Sequence, residues 1–279
     1  MQTIPLTFWE NEAFENAQIK VYLARLDLIH HDFGGNKYFK LKYNLQEARR
    51  QGKDTLLTFG GAYSNHIWAT AALGYHQNFH TIGIIRGEET LPLNPVLAQA
   101  RAWGMALRYV NRTDYRTLKT GEIPCLPNEY VIPEGGSNAL AVKGCAEILS
   151  LLNLPTYQYV AVPCGTGATL AGLVSTNTDK QLLGISVLKG GGFLNEDVEK
   201  LTANTTKGAY QILTNYHFGG YAKSTHELKE FSKTFAKKYF ILDEVYTAKM
   251  LYAVEDLAKK AYFPTGSTVV ALITQRQFQ

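Results

Sequence analysis

Two lysines lie one helical turn apart directly after a glycine-rich turn, and this spacing suits chemistry on a carbonyl group. Asn36, at the end of the turn over 34–36, is predicted to cap a helix, which puts Lys37 in the first helical turn. Lys40 follows at i+3 and shares a helix face with Lys37. A lysine shielded from water beside another cation has a lowered pKa and can form a Schiff base. Two solvated surface lysines are the alternative for an arbitrary pair.

A second segment combines a predicted strand, a loop of small residues and a predicted helix start, which is the arrangement of an anion site. Glycines allow several backbone N–H groups to converge on one point, and the helix N-terminus adds partial positive charge. The loop has no Gly-Lys-Ser/Thr sequence and no third glycine at the dinucleotide spacing, so a monophosphate fits better than a pyrophosphate. A tight turn that binds nothing stays an open alternative. The loop residues are Gly165, Thr166, Gly167, Ala168 and Thr169.

Short β-rich runs alternate with longer helical patterns along the chain. This alternation predicts an α/β protein with a parallel sheet covered by helices, and ligands bind such sheets at the carboxyl ends of the strands. Strands are predicted over 18–23, 55–59, 81–85, 159–162 and 269–273. Helices are predicted over 37–50, 65–74, 94–103, 139–152, 170–176, 225–238 and 247–260.

Five short motifs occur in one order over most of the chain, and together they resemble a known family. They are Gly34-Gly35-Asn36-Lys37-x-x-Lys40-Leu41, Gly60-Gly61-x-x-Ser64-Asn65-His66, Pro133-Glu134-Gly135-Gly136-Ser137-Asn138, Gly165-Thr166-Gly167-x-Thr169-x-x-Gly172 and Val245-Tyr246-Thr247-x-Lys249. The chain resembles the pyridoxal-phosphate-dependent family of D-cysteine desulfhydrases and 1-aminocyclopropane-1-carboxylate deaminases. The resemblance implies the tryptophan-synthase-β-like fold (fold type II), with two open, twisted, mostly parallel sheets flanked by helices.

The resemblance also implies a role for each motif residue. Lys37 would carry the Schiff base to pyridoxal 5'-phosphate and is a catalytic candidate together with Ser64 and Tyr246. The residues that would bind the cofactor are Lys37, Lys40, Asn65, Gly165, Thr166, Gly167, Ala168, Thr169, Thr247 and Thr274. Asn65 would bond the phenolic oxygen, and Thr247 would face the pyridine nitrogen. The residues that would contact the substrate are Ser64, Asn65, His66 and Tyr246.

Thr247 and Thr274 favour one branch of this family. The deaminases carry glutamate after the active-site tyrosine, and a carboxylate at the pyridine nitrogen favours the protonated ring, whereas a hydroxyl does not enforce that charge. We therefore expect α,β-elimination from a small amino acid such as D-cysteine, giving pyruvate, ammonia and sulfide. The alternatives are 1-aminocyclopropane-1-carboxylate deaminase and a cofactor-binding protein with little catalysis. The latter is considered because Gln275-Arg276 replaces the family's Gly-Gly.

The length of 279 residues predicts about two domains. A larger cofactor-binding domain is expected from residues 1–47 and 138–279. A smaller α/β domain over 48–137 is expected to be inserted between them and to close over the substrate.

Composition limits the other classes of function. A net charge of +4, with scattered basic residues, predicts no nucleic-acid partner. The sequence contains no run of 18 apolar residues, so no membrane span is predicted. Its three cysteines lack the spacing of metal ligands and fit a reduced, cytoplasmic compartment. His30-His31 are interpreted as polar residues at a strand end and Asp243-Glu244 as a strand-edge turn. No metal site is predicted, and a homodimer is expected by analogy with the family.

Overall fold

The computed structural model describes residues 3–120, 125–203 and 208–275, and its strands form two sheets. The larger sheet has the order β1-β2-β10-β7-β8-β9, and only the β1–β2 pair among its described strands is antiparallel. Its strands are β1 (Leu6–Phe8), β2 (Lys20–Ala24), β7 (Tyr159–Cys164), β8 (Gln181–Ser186), β9 (Tyr210–Leu213) and β10 (Thr268–Leu272).

The smaller sheet is parallel throughout its described strands and has the order β5-β4-β3-β6. Its strands are β3 (Thr55–Gly61), β4 (His80–Arg86), β5 (Ala106–Val110) and β6 (Glu129–Ile132). The helices are α1 (Glu12–Asn16), α2 (Asn36–Arg50), α3 (Asn65–Gln77), α4 (Pro95–Ala102), α5 (Arg112–Thr120), α6 (Ala139–Cys145), α7 (Ala168–Val174), α8 (Leu194–Leu201), α9 (His226–Ala236) and α10 (Thr247–Lys259).

Strand β10 shows how the larger sheet is held between two layers of helices. Val269 and Ala271 point into one apolar core, formed with α1, α9 and α10. Val270 and Leu272 point into the other, formed with α6, α7 and α8. All four side chains are fully buried, because alternate residues of a strand face opposite sides of its sheet.

Helix α2 contacts the apolar cores of both sheets. Phe39 packs into a core of the larger sheet, whereas Leu41 and Leu45 pack with Leu56 of β3 in the smaller one. The helix therefore holds its first turn, with Lys37 and Lys40, between the carboxyl ends of strands from both sheets.

The predicted α/β class with two mostly parallel sheets is confirmed, and the five predicted strands correspond to β2, β3, β4, β7 and β10. The strands of the smaller sheet all lie between residues 55 and 132. The division into domains over 1–47 with 138–279 and over 48–137 stays a prediction. No helix in the three described ranges is long and apolar enough to cross a membrane.

Several local predictions were wrong. Asn36 does not cap α2, since Gly35 occupies the cap position with φ 97° and Asn36 is the first helical residue. The helix predicted over 139–152 ends at Cys145, and a separate 3₁₀ turn, Leu149–Leu151, follows. Helix α7 begins at Ala168, two residues before the predicted start, and ends at Val174. His30 and His31 lie between a 3₁₀ helix and α2 rather than at a strand end.

Candidate active site

The amines of Lys37 and Lys40 lie in one buried basic cluster. Lys40 Nζ donates to the Gly135 carbonyl oxygen and to Thr166 Oγ1, both at 3.3 Å. Lys37 Nζ is 3.5 Å from Asn36 Oδ1. Within the described ranges no carboxylate oxygen lies within 4 Å of either amine. Burial, and then the charge of Lys40, hold the pKa of Lys37 well below its usual value, and burial also lowers the pKa of Lys40.

The predicted anion loop lies directly against this cluster. Gly167 has φ 72°, a left-handed conformation that lets the chain turn from β7 into α7. A Cβ on Gly135 would lie 3.2 Å from the Thr166 methyl group, so the turn after β6 packs on the loop. Ala168 and Thr169 belong to the first turn of α7, and both are buried. The loop and the Lys40 amine therefore present donors and positive charge to one point.

Asn36 joins the lysine helix to the anion loop, a role that the sequence analysis missed. Its Nδ2 donates to Thr169 Oγ1 at 2.9 Å, and its backbone N–H donates to the Thr274 carbonyl oxygen at 2.9 Å. The residue is 9% exposed. These two bonds fix the first turn of α2 against α7 and the end of β10, which positions Lys37.

His66 is buried beside the two lysines and is held as a neutral ring. Thr58 Oγ1 donates to the Ile132 carbonyl oxygen at 2.9 Å, so it accepts the 2.7 Å hydrogen bond from His66 Nε2. His66 Nδ1 then carries a lone pair, and this atom has no hydrogen-bond partner among the described residues. Burial, then Lys37 and Lys40, hold the pKa of His66 well below 6.5.

Ser64 and Asn65 lie at the start of α3, at the carboxyl end of β3. Ser64 Oγ accepts from the backbone N–H groups of His66 at 3.2 Å and Ile67 at 3.3 Å, so it caps the helix. Gly60 is required here, because a Cβ on it would lie 2.7 Å from Ser64 Oγ. The Asn65 side chain is half-buried at the first helical position. Both residues therefore reach the edge of the sheet that faces the anion loop.

Tyr246 and Thr247 begin α10 on the far side of the loop. A Cβ on Gly165 would lie 3.0 Å from Tyr246 Cε1, so the tyrosine ring packs on the loop backbone. The Thr247 hydroxyl is fully buried and has no hydrogen-bond partner of normal geometry among the described residues. Asp243 caps the helix by accepting from the N–H groups of Tyr246 at 2.6 Å and Thr247 at 3.0 Å. The strand-edge interpretation of Asp243 is therefore wrong.

Gln275 crosses the space between α3 and α10. With its amide nitrogen facing the acceptors, it donates to Asp243 Oδ1 at 2.7 Å and Oδ2 at 3.0 Å, and its oxygen accepts from Asn65 Nδ2. A glycine at this position could form none of these bonds. The departure from the family pattern thus places a side chain between Asn65, a candidate cofactor residue, and Asp243, which caps the helix that begins at Thr247. Arg276 lies outside the described residues.

Lys249 is a fully buried cation in the fifth motif, and its contacts are structural. Its Nζ donates to the carbonyl oxygens of His217 and Gly220, each at 2.8 Å. Burial lowers its pKa to about 8. The bonds fix the glycine-rich turn before Tyr221, whose ring lies 6.0 Å from the ring of Tyr246. Lys249 therefore supports the wall of the site.

Cys164 precedes the anion loop and lies near enough to Lys40 to influence the pKa of that amine. Cys164 is 2% exposed, and burial raises the pKa of its thiol to about 12, which fits a packing role. Thr274 is buried two residues after the end of β10. Among the described residues no group of three potential ligands is arranged to hold a metal ion.

These residues fit the pyridoxal phosphate that the resemblance implies. Its phosphate matches the loop and the Lys40 amine, and its aldehyde matches an amine of lowered pKa at Lys37. The unpartnered buried atoms, His66 Nδ1 and Thr247 Oγ1, are polar groups that a bound ligand can satisfy. The site thus has a donor set for a phosphate at one end and polar groups for a ring at the other.

Comparisons with known proteins agree with this geometry. The family described as pyridoxal-phosphate dependent enzymes matches residues 4–275. A Pyrococcus furiosus protein provisionally named 1-aminocyclopropane-1-carboxylate deaminase is 31% identical over 265 residues, covering 86% of this chain and 80% of its own. The mitochondrial bifunctional D-cysteine desulfhydrase/1-aminocyclopropane-1-carboxylate deaminase of Arabidopsis thaliana is 27% identical, covering 90% of this chain and 70% of its own.

A solved structure gives the same result for the fold. The crystal structure of an ACC deaminase homologue superposes with a TM-score of 0.82 and 26% sequence identity, over 98% of this chain and 89% of that one. Both the sequence match and the fold extend over nearly the whole chain. The chain therefore belongs to the family of pyridoxal-phosphate-dependent enzymes of fold type II, and pyridoxal phosphate is its cofactor.

Proposed function

We propose that this enzyme catalyses α,β-elimination from a small amino acid, in the manner of a D-cysteine desulfhydrase, with pyruvate, ammonia and sulfide as products. The observation that carries the proposal is the Lys37 amine, which is buried beside Lys40 with a pKa well below its usual value. An amine that is readily neutral at physiological pH can act both as nucleophile and as proton acceptor.

The protein's own residues divide the work between binding and proton transfer. Bound pyridoxal phosphate supplies a carbonyl carbon for amines and an electron-withdrawing ring. Lys40 and the 165–169 loop would hold the phosphate, and the Lys37 amine would accept the α-proton of the substrate. The bond from the β-carbon to sulfur then breaks, and sulfide leaves with the electron pair. Hydrolysis of the remaining aminoacrylate gives pyruvate and ammonia.

Ser64 and Tyr246 are the other two catalytic candidates, and their positions suit different tasks. Ser64 Oγ accepts two backbone N–H bonds, so its own hydrogen can be donated to a substrate carboxylate. Burial, and then Tyr221, raise the pKa of Tyr246 well above its usual value, so its hydroxyl stays protonated and acts as a donor. We assign Ser64, Asn65 and His66 to the substrate side of the site.

Thr247 favours elimination over ring opening of 1-aminocyclopropane-1-carboxylate. Its hydroxyl is buried at the first residue of α10. The carboxylate of Asp243 lies nearby and accepts hydrogen bonds from three backbone N–H groups. Asp243 is thus engaged by backbone donors, and residue 247 itself offers a hydroxyl rather than a carboxylate to the pyridine nitrogen. Deamination of 1-aminocyclopropane-1-carboxylate remains the second candidate, because relatives at about 30% identity bear that name.

The test is product analysis on the enzyme loaded with pyridoxal phosphate. D-cysteine, L-cysteine and 1-aminocyclopropane-1-carboxylate are each incubated with the enzyme, and sulfide, pyruvate and the four-carbon oxo acid are measured. We expect sulfide and pyruvate in equal amounts from a cysteine enantiomer. The four-carbon oxo acid alone would establish the second candidate, and a bound cofactor without any product would favour the protein with little catalysis.

Two variants connect the activity to the proposed residues. Lys37→Ala should abolish turnover and the visible absorption of the bound cofactor, whereas Lys229→Ala, an exposed lysine on α9, should change neither. Thr247→Glu should change the protonation of the pyridine nitrogen. An unchanged cofactor spectrum in Thr247→Glu would contradict the position assigned to Thr247.

We also propose a cytoplasmic enzyme that forms a homodimer. The cysteine usage supports a reduced compartment: two of the three cysteines are buried and unpaired, and Cys125 is free on the surface. Sedimentation analysis of the loaded enzyme tests the dimer, and a monomer at micromolar concentration would refute it.

A further inference from the structure

A pocket of about 400 Å³ at the edge of the smaller sheet is lined by three arginines. Arg86 is the last residue of β4, Arg112 is the first residue of α5, and Arg116 follows one helical turn later on the same face. Tyr115 and Glu134 complete the lining. The neighbouring strands β4 and β5 are parallel, so their carboxyl ends bring the three guanidinium groups to one opening.

Positive charge predominates among the residues that line this pocket, which are the three arginines, Tyr115 and Glu134. Within the described ranges no carboxylate oxygen lies within 4 Å of Arg86 or Arg112, whereas Arg25, Arg50 and Arg101 each pair with one. Glu134 is already an acceptor for the Tyr115 hydroxyl at 2.9 Å. Converging guanidinium groups repel one another unless an anion lies between them.

The arginine pocket adjoins the candidate active site. A Cβ on Gly61 would lie 3.5 Å from Arg86 Nη2, and Gly61 is the last residue of β3, three positions before Ser64. Glu134 directly precedes Gly135, whose carbonyl oxygen accepts from Lys40. Glu134 is also close enough to Tyr246 to raise the pKa of that phenol, after burial and Tyr221. The pocket and the site therefore share one wall, formed by the turn after β6.

The inner face of the pocket is rigid enough to orient the guanidinium groups. The Arg86 guanidinium lies over the Tyr115 ring, 5.6 Å from its centroid, and that ring is 2% exposed. Tyr115 is anchored by its bond to Glu134, which comes from a different element. Stacking on an aromatic face and a planar fork of donors suit Arg86 for bidentate binding of a carboxylate, sulfonate or phosphate.

We propose that the elimination also accepts amino acids whose β-substituent ends in a second acidic group, and that the arginine pocket (Arg86, Arg112, Arg116) binds that group. This inference rests on the proposed elimination and extends its substrate class beyond cysteine. The α-carboxylate lies on the side of Ser64, and the distal anion extends past Gly61 to the carboxyl edge of the smaller sheet. A substrate of this kind is held at both ends.

The test compares two esters, O-acetylserine and O-succinylserine, as both enantiomers; the succinyl group extends the acetyl group by one CH2 and a terminal carboxylate. In either case the α-proton goes to the base, the bond from the β-carbon to oxygen breaks, and a carboxylate leaves with the electron pair. Pyruvate release by the loaded enzyme gives kcat/KM. We expect O-succinylserine to exceed O-acetylserine by about 10- to 100-fold, the range of charge-assisted hydrogen bonds.

Variants assign this preference to the pocket. In the double variant Arg86→Gln/Arg112→Gln the ratio of the two kcat/KM values should fall at least tenfold. Arg101→Gln removes an arginine that pairs with Glu89 outside the pocket, and it should keep the wild-type ratio. Equal kcat/KM values for the two esters in the wild type, or a preference that survives the double variant, would overturn the proposal.

A binding measurement separates this inference from the proposed function. If neither ester is consumed, elimination fails, and calorimetric titration of the loaded enzyme with 2-aminodicarboxylates of four to seven carbons still reports the pocket. At least one of them should bind ten times more tightly than the monocarboxylic amino acid of equal length, and the double variant should lose the difference. No such difference at any length would refute the anion pocket itself.

Discussion

His66 should make the unfolding free energy fall as the solution is acidified. The ring is 2% exposed, donates from Nε2 to Thr58, and lies near the cations of Lys37 and Lys40. Its pKa is therefore well below the value of 6.5 that it has in the unfolded chain. Below pH 6.5 the unfolded state takes up a proton that the folded state does not. The stability is thus fully present above pH 6.5 and decreases as the pH falls.

The size of this effect follows from the linkage relation. Between pH 6.5 and pH 5.0 the unfolded histidine goes from half-protonated to almost fully protonated, whereas the lowered pKa of His66 opposes proton uptake by the folded protein. The unfolding free energy falls by about 1.6 kcal/mol over this range when the folded ring takes up no proton. A change of that size is a large fraction of the 5–15 kcal/mol by which domains are typically stable.

The assay is urea unfolding of the cofactor-free protein at pH 7.5, 6.5 and 5.0. His66→Gln keeps a donor for Thr58 but cannot be protonated, so the wild type should lose about 1.6 kcal/mol more than the variant between pH 6.5 and 5.0. His80→Gln changes an exposed histidine and should follow the wild type. Parallel pH dependences for the wild type and His66→Gln would refute the reasoning, because they would mean that the buried ring is protonated like a solvated one.

Three further measurements test other parts of the structure. Gln275→Gly removes the hydrogen bond to the Asn65 amide, so Asn65 becomes available to the cofactor. We expect about tenfold tighter binding of pyridoxal phosphate in a spectroscopic titration; weaker binding would contradict the idea that Gln275 and the cofactor compete for Asn65. Lys249→Met leaves two carbonyl oxygens without donors and should cost about 2 kcal/mol in urea unfolding at pH 7; an unchanged midpoint would count against that anchor. A disulfide reagent that reacts with thiols should label one cysteine, Cys125, rapidly in the native chain. Burial raises the pKa of Cys145 to about 11 and that of Cys164 to about 12, so both should react slowly. Two rapidly reacting thiols would be incompatible with this packing.

The parts of the fold that were predicted from the sequence are those with strong local patterns. Strand β10 is a continuous apolar run because helices cover both of its faces, and such runs are recognisable. Strand β5 was missed, since it is only five residues long, its residues are exposed or half-buried, and Arg108 interrupts its apolar residues. The cap of α2 was assigned to Asn36 because that residue type is a good cap, whereas the left-handed Gly35 decides the start.

The site was predictable only where its residues lie together in the sequence. Two local motifs were recognised: the lysine pair Lys37 and Lys40, and the loop that begins at Gly165. The structure joins them through the hydrogen bond from Lys40 Nζ to Thr166 Oγ1. The contact of Gln275 with Asn65 joins residues 210 positions apart (275 − 65), and no local pattern signals it. The arginine pocket likewise depends on the parallel pairing of β4 with β5.

The pairing of β2 with β10 has a consequence for synthesis of the enzyme. Strand β2 is synthesised 248 residues (268 − 20) before its neighbour β10. The Asn36 N–H finds its acceptor, the Thr274 carbonyl oxygen, only when that strand is in place. A nascent chain that already carries Lys37 thus still lacks the surface against which the lysine is oriented. Cofactor loading is therefore expected only after β10 has been synthesised, and a chain truncated before residue 268 should be unable to retain the cofactor.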